Sequence, residues 1–425
     1  MKEEVTKEEK EEVTNEVRKM MLNDLLTRNV DNSVDIEYVR ERIMKSEKLN
    51  VKLGIDPTSP HIHIGRAVVL WKLRAFQDLG CHVTFIIGDF TGTIGDTSDK
   101  NSERPMIDQD TVNKNLETYI EQALLILDKD KNKLSIRKNS EWLSQLTYSE
   151  VCAQADAFSV NDFIKRDVIA RRLGNGSRVS LREMLYPMLQ GYDSVAINAD
   201  IEIGGSDQWF NLLAGRTMQK LYRENGKLDR KNEQAILTVK LIPGLDGRKM
   251  SSSYGNGIFL TDTVENMYGK AMTINDNLMI EAFEGFTHMS IKEIENLKTR
   301  LLQNENPKNI KEILAYEITK LYHGETGANK GREAFKNISL GVPTEIKNFK
   351  INKESNNLVD ILIELNFATS KSNARTVIEQ GGVKVNDEVV SIYKKDKENT
   401  KYTNEYIVQV GDIIQKGKLN YAKII

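Results

Sequence analysis

The stretch Asp56-Pro57-Thr58-Ser59-Pro60-His61-Ile62-His63-Ile64-Gly65-Arg66 constrains this chain more than any other part of it. It begins as extended, proline-punctuated backbone and runs into Ala67 to Leu79, which is apolar at helical spacing and lacks Gly and Pro. Strand, tight loop and helix in that order form one step of an alternating α/β chain. Gly65 stands where the helix begins. Unpaired backbone N–H groups and the positive end of the helix macrodipole face outward there, with no bulky side chain in front of them. A polyphosphate finds donors at such a point, and Thr58 and His63 add two neutral ones.

Much later comes Gly247-Arg248-Lys249-Met250-Ser251-Ser252-Ser253, a polar loop with one amine and three hydroxyls that can fold over an anion. Two phosphate-handling loops in one chain suggest a nucleotide held between two walls. From about residue 50 to 265, strand-like runs alternate with helical stretches, as in Val83 to Ile87 and Ala196 to Ile203. This predicts a doubly wound parallel sheet, whose ligands lie beyond the C-terminal ends of the strands. Thr91-Gly92-Thr93-Ile94-Gly95-Asp96-Thr97-Ser98, followed by Lys100 and Arg104, comes directly after the Val83 to Ile87 run.

Tyr186, Gln190 and Asp193 stand at i, i+4 and i+7, which places them on one face of a helix. An amide and a carboxylate on an otherwise apolar face are costly unless each meets a partner. A ligand carrying a phenol and an ammonium supplies such partners: Asp193 accepts the phenolic proton, and Gln190, Tyr186 and Asp96 receive the ammonium. The bland alternative is an amphipathic helix whose polar members meet solvent or one another.

The chain has 425 residues, 39% hydrophobic and 29% charged, enough for two or three domains. No apolar run reaches membrane-spanning length and the N-terminus is charged instead of signal-like, so a soluble, cytoplasmic protein is expected. Residues 1 to about 20 read as a solvated Lys/Glu helix without chemistry. Cys81 and Cys152 match no metal spacing and read as buried thiols in a reducing compartment. His61, His82, His288 and His323 form no ligand pair at helical spacing, so no metal site is expected.

The strand signal is lost from about 266 to 340, and helices are expected there. From about 355 a further unit begins: Leu358, Ile361, Leu362 and Leu365 form a helical stripe, a second helix runs to Gln380, and Gly381-Gly382 turns into a strand. Lys371 and Arg375, four apart on one helix face, can meet two phosphates of an RNA backbone. Residues 351 to 425 carry 11 Lys plus Arg against 10 Asp plus Glu, so RNA binding there depends on local placement of charge and not on net charge. A packing or dimerisation module is the alternative.

Three sets of residues carry a resemblance to a known family. His63-Ile64-Gly65-Arg66 and Lys249-Met250-Ser251-Ser252-Ser253 resemble the His-Ile-Gly-His and Lys-Met-Ser-Lys-Ser signatures of class I aminoacyl-tRNA synthetases, each departing at one position. The Thr91 to Ser98 segment with Lys100 and Arg104, Tyr186-Pro187-Met188-Leu189-Gln190-Gly191-Tyr192-Asp193 and Gly204-Gly205-Ser206-Asp207-Gln208-Trp209 together look like the tyrosine pocket of the tyrosyl-tRNA synthetases. The last segment looks like the small RNA-binding fold appended to bacterial members.

The resemblance implies a Rossmann-like catalytic domain over 1–265, a helical anticodon-facing domain over 266–345 and a small α+β RNA-binding domain over 355–425. It implies ATP with Mg²⁺, L-tyrosine and tyrosine tRNA as partners, and a homodimer. Thr58, His63, Lys100, Arg104, Lys249 and Ser252 would act on the polyphosphate. Gly65 would mark the helix start that meets the polyphosphate, Arg66 would stack on adenine or bind phosphate, Gly205 and Asp207 would meet the ribose, Leu241 would lie under the adenine, and Gln208 would join the tyrosine ligands.

Some positions depart from the family pattern. Ser252 stands for the second lysine of the late motif, Arg66 for the last histidine of the early one, and Lys52 for a tyrosine that many relatives turn toward the substrate phenol. Three rivals follow from the same residues. A tryptophanyl-tRNA synthetase would not need Asp193, a small-metabolite nucleotidyltransferase would not need Lys371 and Arg375, and a non-catalytic RNA-binding derivative would not keep the pocket.

Overall fold

The computed structural model describes residues 7–96, 107–251, 255–340, 347–350, 356–390, 406–417 and 420–425. The chain divides into two compact units, Met1–Tyr322 and His323–Ile425.

The first unit is built on a six-stranded sheet of β1 (Val30–Val34), β2 (Asn50–Ile55), β3 (His82–Ile87), β4 (Leu134–Lys138), β5 (Ile201–Gly205) and β6 (Ala235–Val239). Their order is β1-β6-β5-β2-β3-β4. All neighbours are parallel except β1, which pairs antiparallel with β6. The chain steps outward from β2 to β3 and β4, then returns to the other side of β2 with β5. That reversal opens a crevice at the C-terminal ends of β2 and β5, the place where open α/β sheets bind ligands. Every residue of β6 is buried, and so are the last five of β3, as expected for strands covered on both faces.

Helix Ile64–Asp78 starts at the N-cap His63 and buries Ile64, Ala67, Leu70, Leu73 and Phe76. Helix Leu181–Ala196 opens with a capping box between Ser180 and Glu183. The run Ala196 to Ile203, expected as a strand, is not one along its length. The helix ends at Ala196, Asn198 turns the chain at φ 48°, and β5 begins at Ile201. Apolar residues belonging to a helix end and a strand start read as one segment when the turn between them is short.

The N-terminal helix, Lys7–Thr27, is exposed from Asn15 to Met20 apart from half-buried Arg18, as expected of its solvated part, and its burial begins beyond the expected bounds. Leu22, Leu25 and Leu26 are buried, and Arg18 Nη2 donates to the carbonyls of Ile43 (2.9 Å) and Leu79 (3.1 Å). The helix is therefore docked from Arg18 onward. Cys81 is buried as expected, but Cys152 is exposed because it lies on a short amphipathic helix, Tyr148–Ala155.

The helices expected after 266 are Val264–Ala271, Met279–Phe286, Ile291–Leu302 and Pro307–Leu340, the last interrupted at Gly324 (φ 70°, ψ 177°). The second unit has helices Leu358–Glu364 and Lys371–Glu379 and a small sheet. Its strands are β7 (Lys347–Phe349), β8 (Val383–Val385), β9 (Glu388–Val389), β10 (Ile413–Lys416) and β11 (Asn420–Ile424), in the order β7-β11-β10-β8-β9. Leu358, Ile361, Leu362, Ile378, Val383 and Ile414 form its core.

Candidate active site

The loops quoted from the sequence gather at the C-terminal ends of β2, β3 and β5. The loop after β2 is fixed by helix Gln109–Ala123: Asn115 Nδ2 donates to the Pro57 carbonyl at 3.0 Å, and Gln122 accepts from Ile62 N at 2.9 Å and donates to the Pro60 carbonyl at 2.8 Å. Thr58 is half-buried in that loop, its N–H on the Asp56 carbonyl at 2.8 Å.

His63 is buried and its Nδ1 accepts from Arg66 N at 3.3 Å. Burial, with the charges of Arg66 and Lys249 nearby, pushes its pKa down to about 3. The ring is therefore neutral at physiological pH. With Nδ1 accepting, the proton sits on Nε2, so His63 is a neutral donor. Arg66 Nη1 donates to Tyr119 Oη at 2.9 Å.

The early and late motifs are joined in space. Ile64 N donates to the Ile258 carbonyl at 2.8 Å and Leu260 N to the Ile62 carbonyl at 3.0 Å, which brackets an antiparallel bridge between His63 and Phe259. Met250 is buried, and a Cβ added at Gly65 would stand 3.3 Å from its Sδ and 3.1 Å from His63 Nδ1. The late loop is organised by buried Asn256, which accepts from Ser251 N at 2.9 Å and donates to Asp246 Oδ1 at 2.7 Å and the Lys249 carbonyl at 3.1 Å. Lys249 Nζ pairs with Asp207 Oδ2 at 2.7 Å. At Gly205 an added Cβ would lie 2.6 Å from Asp207 Oδ1 and 3.0 Å from Leu241 Cδ2, so Gly205, Asp207 and the exposed Leu241 form one wall. Lys100, Arg104 and Ser252 lie outside the described residues.

Beside this wall, Tyr186, Gln190 and Asp193 lie on helix Leu181–Ala196. Tyr186 Oη donates to Asp56 Oδ2 at 2.9 Å, and Thr91 Oγ1 donates to Asp56 Oδ1 at 2.7 Å. Burial, then the nearby carboxylates of Asp56, Asp96 and Asp193, raises the Tyr186 pKa. Gln208 Nε2 donates to Asp96 Oδ2 at 2.7 Å. Asp193 is 2% exposed; Trp142 Nε1 donates to its Oδ1 at 2.8 Å and Asn139 Nδ2 lies 3.4 Å from its Oδ2. Burial raises its pKa to about 7, against the opposing pull of Lys52, Trp142 and Asn139. Gln190 Nε2 donates to Glu202 Oε1 at 3.1 Å.

Asn139, Trp142, Glu202 and Asn256 carry no motif. Their sequence signal is position alone: Asn139 and Trp142 follow β4 directly at the ligand end of the sheet, and Glu202 is a carboxylate within the apolar run of β5. In the second unit Lys371 Nζ pairs with Asp360 at 2.7 Å on an exposed helix face, and Arg375 is half-buried one turn on. Among the described residues there is no group of three or more His, Cys, Asp or Glu that could hold a metal ion, and no helix is long and apolar enough to cross a membrane.

The family profile described as "tRNA synthetases class I (W and Y)" matches residues 44–339, and that described as "Tyrosine--tRNA ligase SYY-like C-terminal domain" matches 337–424. The chain is 42% identical to a Thermotoga maritima protein named "Tyrosine--tRNA ligase", over 87% of this chain and 91% of that one. It is 40% identical to "Tyrosine--tRNA ligase 2" of Clostridium acetobutylicum, over 94% and 97%. The fold is similar to that of a C-terminally truncated Aspergillus nidulans mitochondrial tyrosyl-tRNA synthetase, with TM-score 0.62 at 19% identity over 78% of this chain and 99% of that one. With the first profile spanning more than half its length, this chain belongs to the class I tRNA synthetases of the tryptophan and tyrosine group.

Proposed function

We infer that this protein is a tyrosine-tRNA ligase. It activates L-tyrosine with ATP to tyrosyl-adenylate and pyrophosphate, then transfers the tyrosyl group to the 3′ end of tyrosine tRNA. The reading is supported by the two matching profiles and by relatives bearing that name at about 40% identity over most of the chain. The observation that carries it is the pairing on one helix of two unlike environments. Asp193 is a buried carboxylate suited to accept a phenolic proton, and Tyr186 stands among the carboxylates of Asp56, Asp96 and Asp193, which suits an ammonium.

The tyrosine carboxylate attacks the α-phosphorus and pyrophosphate leaves, so no protein nucleophile is needed. Positioning and charge stabilisation supply the catalysis. Asp193 takes the phenol; Tyr186, Gln190, Asp96 and Gln208 set the ammonium. Thr58, His63 and Lys249, with Lys100, Arg104 and Ser252, meet the polyphosphate at the helix start marked by Gly65; Arg66 stacks on adenine or binds phosphate, while Gly205 and Asp207 hold the ribose and Leu241 lies under the adenine. Mg²⁺ enters with ATP, bound mainly by phosphate oxygens.

The enzyme works as a homodimer in the cytoplasm. The exposed Tyr148, Val160, Ile164, Leu173 and Leu181 all fall between residues 148 and 181 and supply apolar surface for a partner copy. Lys371 and Arg375 contact the tRNA backbone. Pyrophosphate exchange with each of the twenty amino acids tests the reading: exchange with tyrosine alone is expected, and exchange with tryptophan instead, or with none, would overturn it.

A further inference from the structure

Beneath the amino-acid side of the site, Lys52 Nζ and Glu202 Oε1 form an ion pair at 2.9 Å, with side chains 0% and 1% exposed. They meet because β2 and β5 run parallel with Lys52 opposite Glu202. Such a pair gives little net stability, since desolvating two charges offsets most of their attraction, so its use lies in what it holds. Lys52 Nζ also donates to the Gln190 carbonyl and to Ser194 Oγ, each at 2.8 Å. Glu202 accepts from Gln190 Nε2 at 3.1 Å, from Ser194 Oγ at 3.0 Å and from Gln234 Nε2 at 2.5 Å.

Gln190 is thus gripped twice, by its main-chain oxygen and by its side-chain NH₂. A side-chain amide can turn over and exchange donor for acceptor. A carboxylate has no proton to give, so only the NH₂ end of Gln190 can face Glu202. Oε1 is left on the opposite side, and no described residue donates to it. We propose that Glu202, fixed by Lys52, is a positioning residue that turns the oxygen of the Gln190 amide, and not its NH₂, toward the ammonium of the amino-acid substrate. The inference rests on the reading of Gln190 as an ammonium ligand. A turned amide would present N–H donors to a cation, so its orientation decides whether Gln190 attracts or repels the substrate.

The test uses the full-length protein, pyrophosphate exchange with tyrosine, and two competitors. Tyramine keeps the phenol and ammonium; 3-(4-hydroxyphenyl)propionate keeps the phenol and lacks the ammonium. Glu202→Gln offers Gln190 either end of an amide. Losing one well-oriented acceptor for a charged group should raise the tyrosine KM and the tyramine Ki about tenfold. The Ki of 3-(4-hydroxyphenyl)propionate and the KM for ATP should not move. Lys52→Met with Glu202→Gln leaves no lone buried charge and should give the same split if the single variant does not fold. A parallel rise for both competitors, or an unchanged tyramine Ki, overturns the proposal. Gln190→Ala separates the two readings: if it leaves tyramine binding intact, Gln190 is not an ammonium ligand; if it weakens tyramine while Glu202→Gln does not, only the positioning role fails.

Discussion

Trp142 Nε1 donates to Asp193 Oδ1 at 2.8 Å, so the carboxylate that faces the proposed phenol is already half satisfied before any substrate arrives. Asn139 stands 3.4 Å from the other oxygen. These donors favour the ionised form, yet burial outweighs them and leaves Asp193 titrating at about 7. The acceptor is oriented and close to neutrality at once.

Replacing Asp193 by Ala should remove discrimination between tyrosine and phenylalanine, because the phenol would then be buried without an acceptor. An unpaired buried hydroxyl costs roughly 1–3 kcal/mol. Comparing kcat/KM for the two amino acids in pyrophosphate exchange checks this; a variant that still rejects phenylalanine as strongly as the parent would remove Asp193 from the phenol.

The same carboxylate gives a pH dependence with a definite sign. Its folded pKa, about 7, lies above the ordinary 3.8, so the protonated form is favoured by folding and stability falls as pH rises from about 4 to 7. Tyrosine binding, if it uses the carboxylate as acceptor, follows the opposite course and weakens about tenfold from pH 8 to pH 6. Trp142→Phe removes a donor to the charged form, so the midpoint of that curve should move upward. Equilibrium dialysis of tyrosine at several pH values would reveal it, and a flat profile in the parent protein would mean that the phenol is held by another group.

The sheet, the loop-to-helix step at His63 and the helix that carries Tyr186, Gln190 and Asp193 were legible because each rests on local chemistry: a proline-rich loop before an apolar helix, and three side chains at helical spacing. The partners of those residues were not. Trp142, Asn139 and Glu202 reach the site through strand pairing and helix packing between segments far apart in the chain, which leave no periodicity behind. Asp207 had a role toward ribose in the sequence, but its pairing with Lys249 joins two loops that only the tertiary fold brings together. The strand expected from Ala196 failed for a local reason, the left-handed turn at Asn198.

His63 is held neutral by burial, with a pKa of about 3 against an ordinary 6.5. On unfolding it gains a proton below pH 6.5, so the folded state loses stability as pH falls through that range toward 3. His63→Asn keeps an N-cap and does not titrate, so its urea midpoint should fall less than the parent's between pH 7 and pH 5. Adenylate formation by the parent should show no inflection from this ring near pH 6.5; such an inflection, lost in His63→Asn, would mean that the ring charges in the folded enzyme.

The second unit should be separable from amino-acid activation. No proposed pocket residue lies beyond Lys249 and Ser252 in the chain, and β7 pairs parallel with β11, so a cut that removes the small sheet whole must fall before Lys347, leaving the first residues of the second unit in place. A chain ending at Leu340 is expected to form tyrosyl-adenylate at nearly the parent rate while tRNA charging drops. Equal loss in the two assays would assign the unit a structural role.

Lys249 lies 2.7 Å from Asp207 Oδ2 and is 40% exposed, on a loop whose backbone is fixed by Asn256 and whose Met250 is anchored beside Gly65. The ammonium is therefore tethered by a partner that carries the opposite charge, at the end of the site proposed for the polyphosphate. As the α-phosphorus is attacked and pyrophosphate separates, negative charge grows on the phosphate oxygens. A preorganised cation there is worth on the order of 3 kcal/mol, about a hundredfold in rate. Lys249→Ala should accordingly slow adenylate formation by that factor while changing the dissociation constant for tyrosine little. Asp207→Asn releases the same ammonium without removing it, and should leave more of the rate than Lys249→Ala does. Ser252→Lys, which restores the second lysine of the family signature, should leave activation unchanged or faster. Rapid-quench measurement of adenylate formation decides the matter: a Lys249→Ala enzyme that keeps the parent rate would make this loop a surface turn.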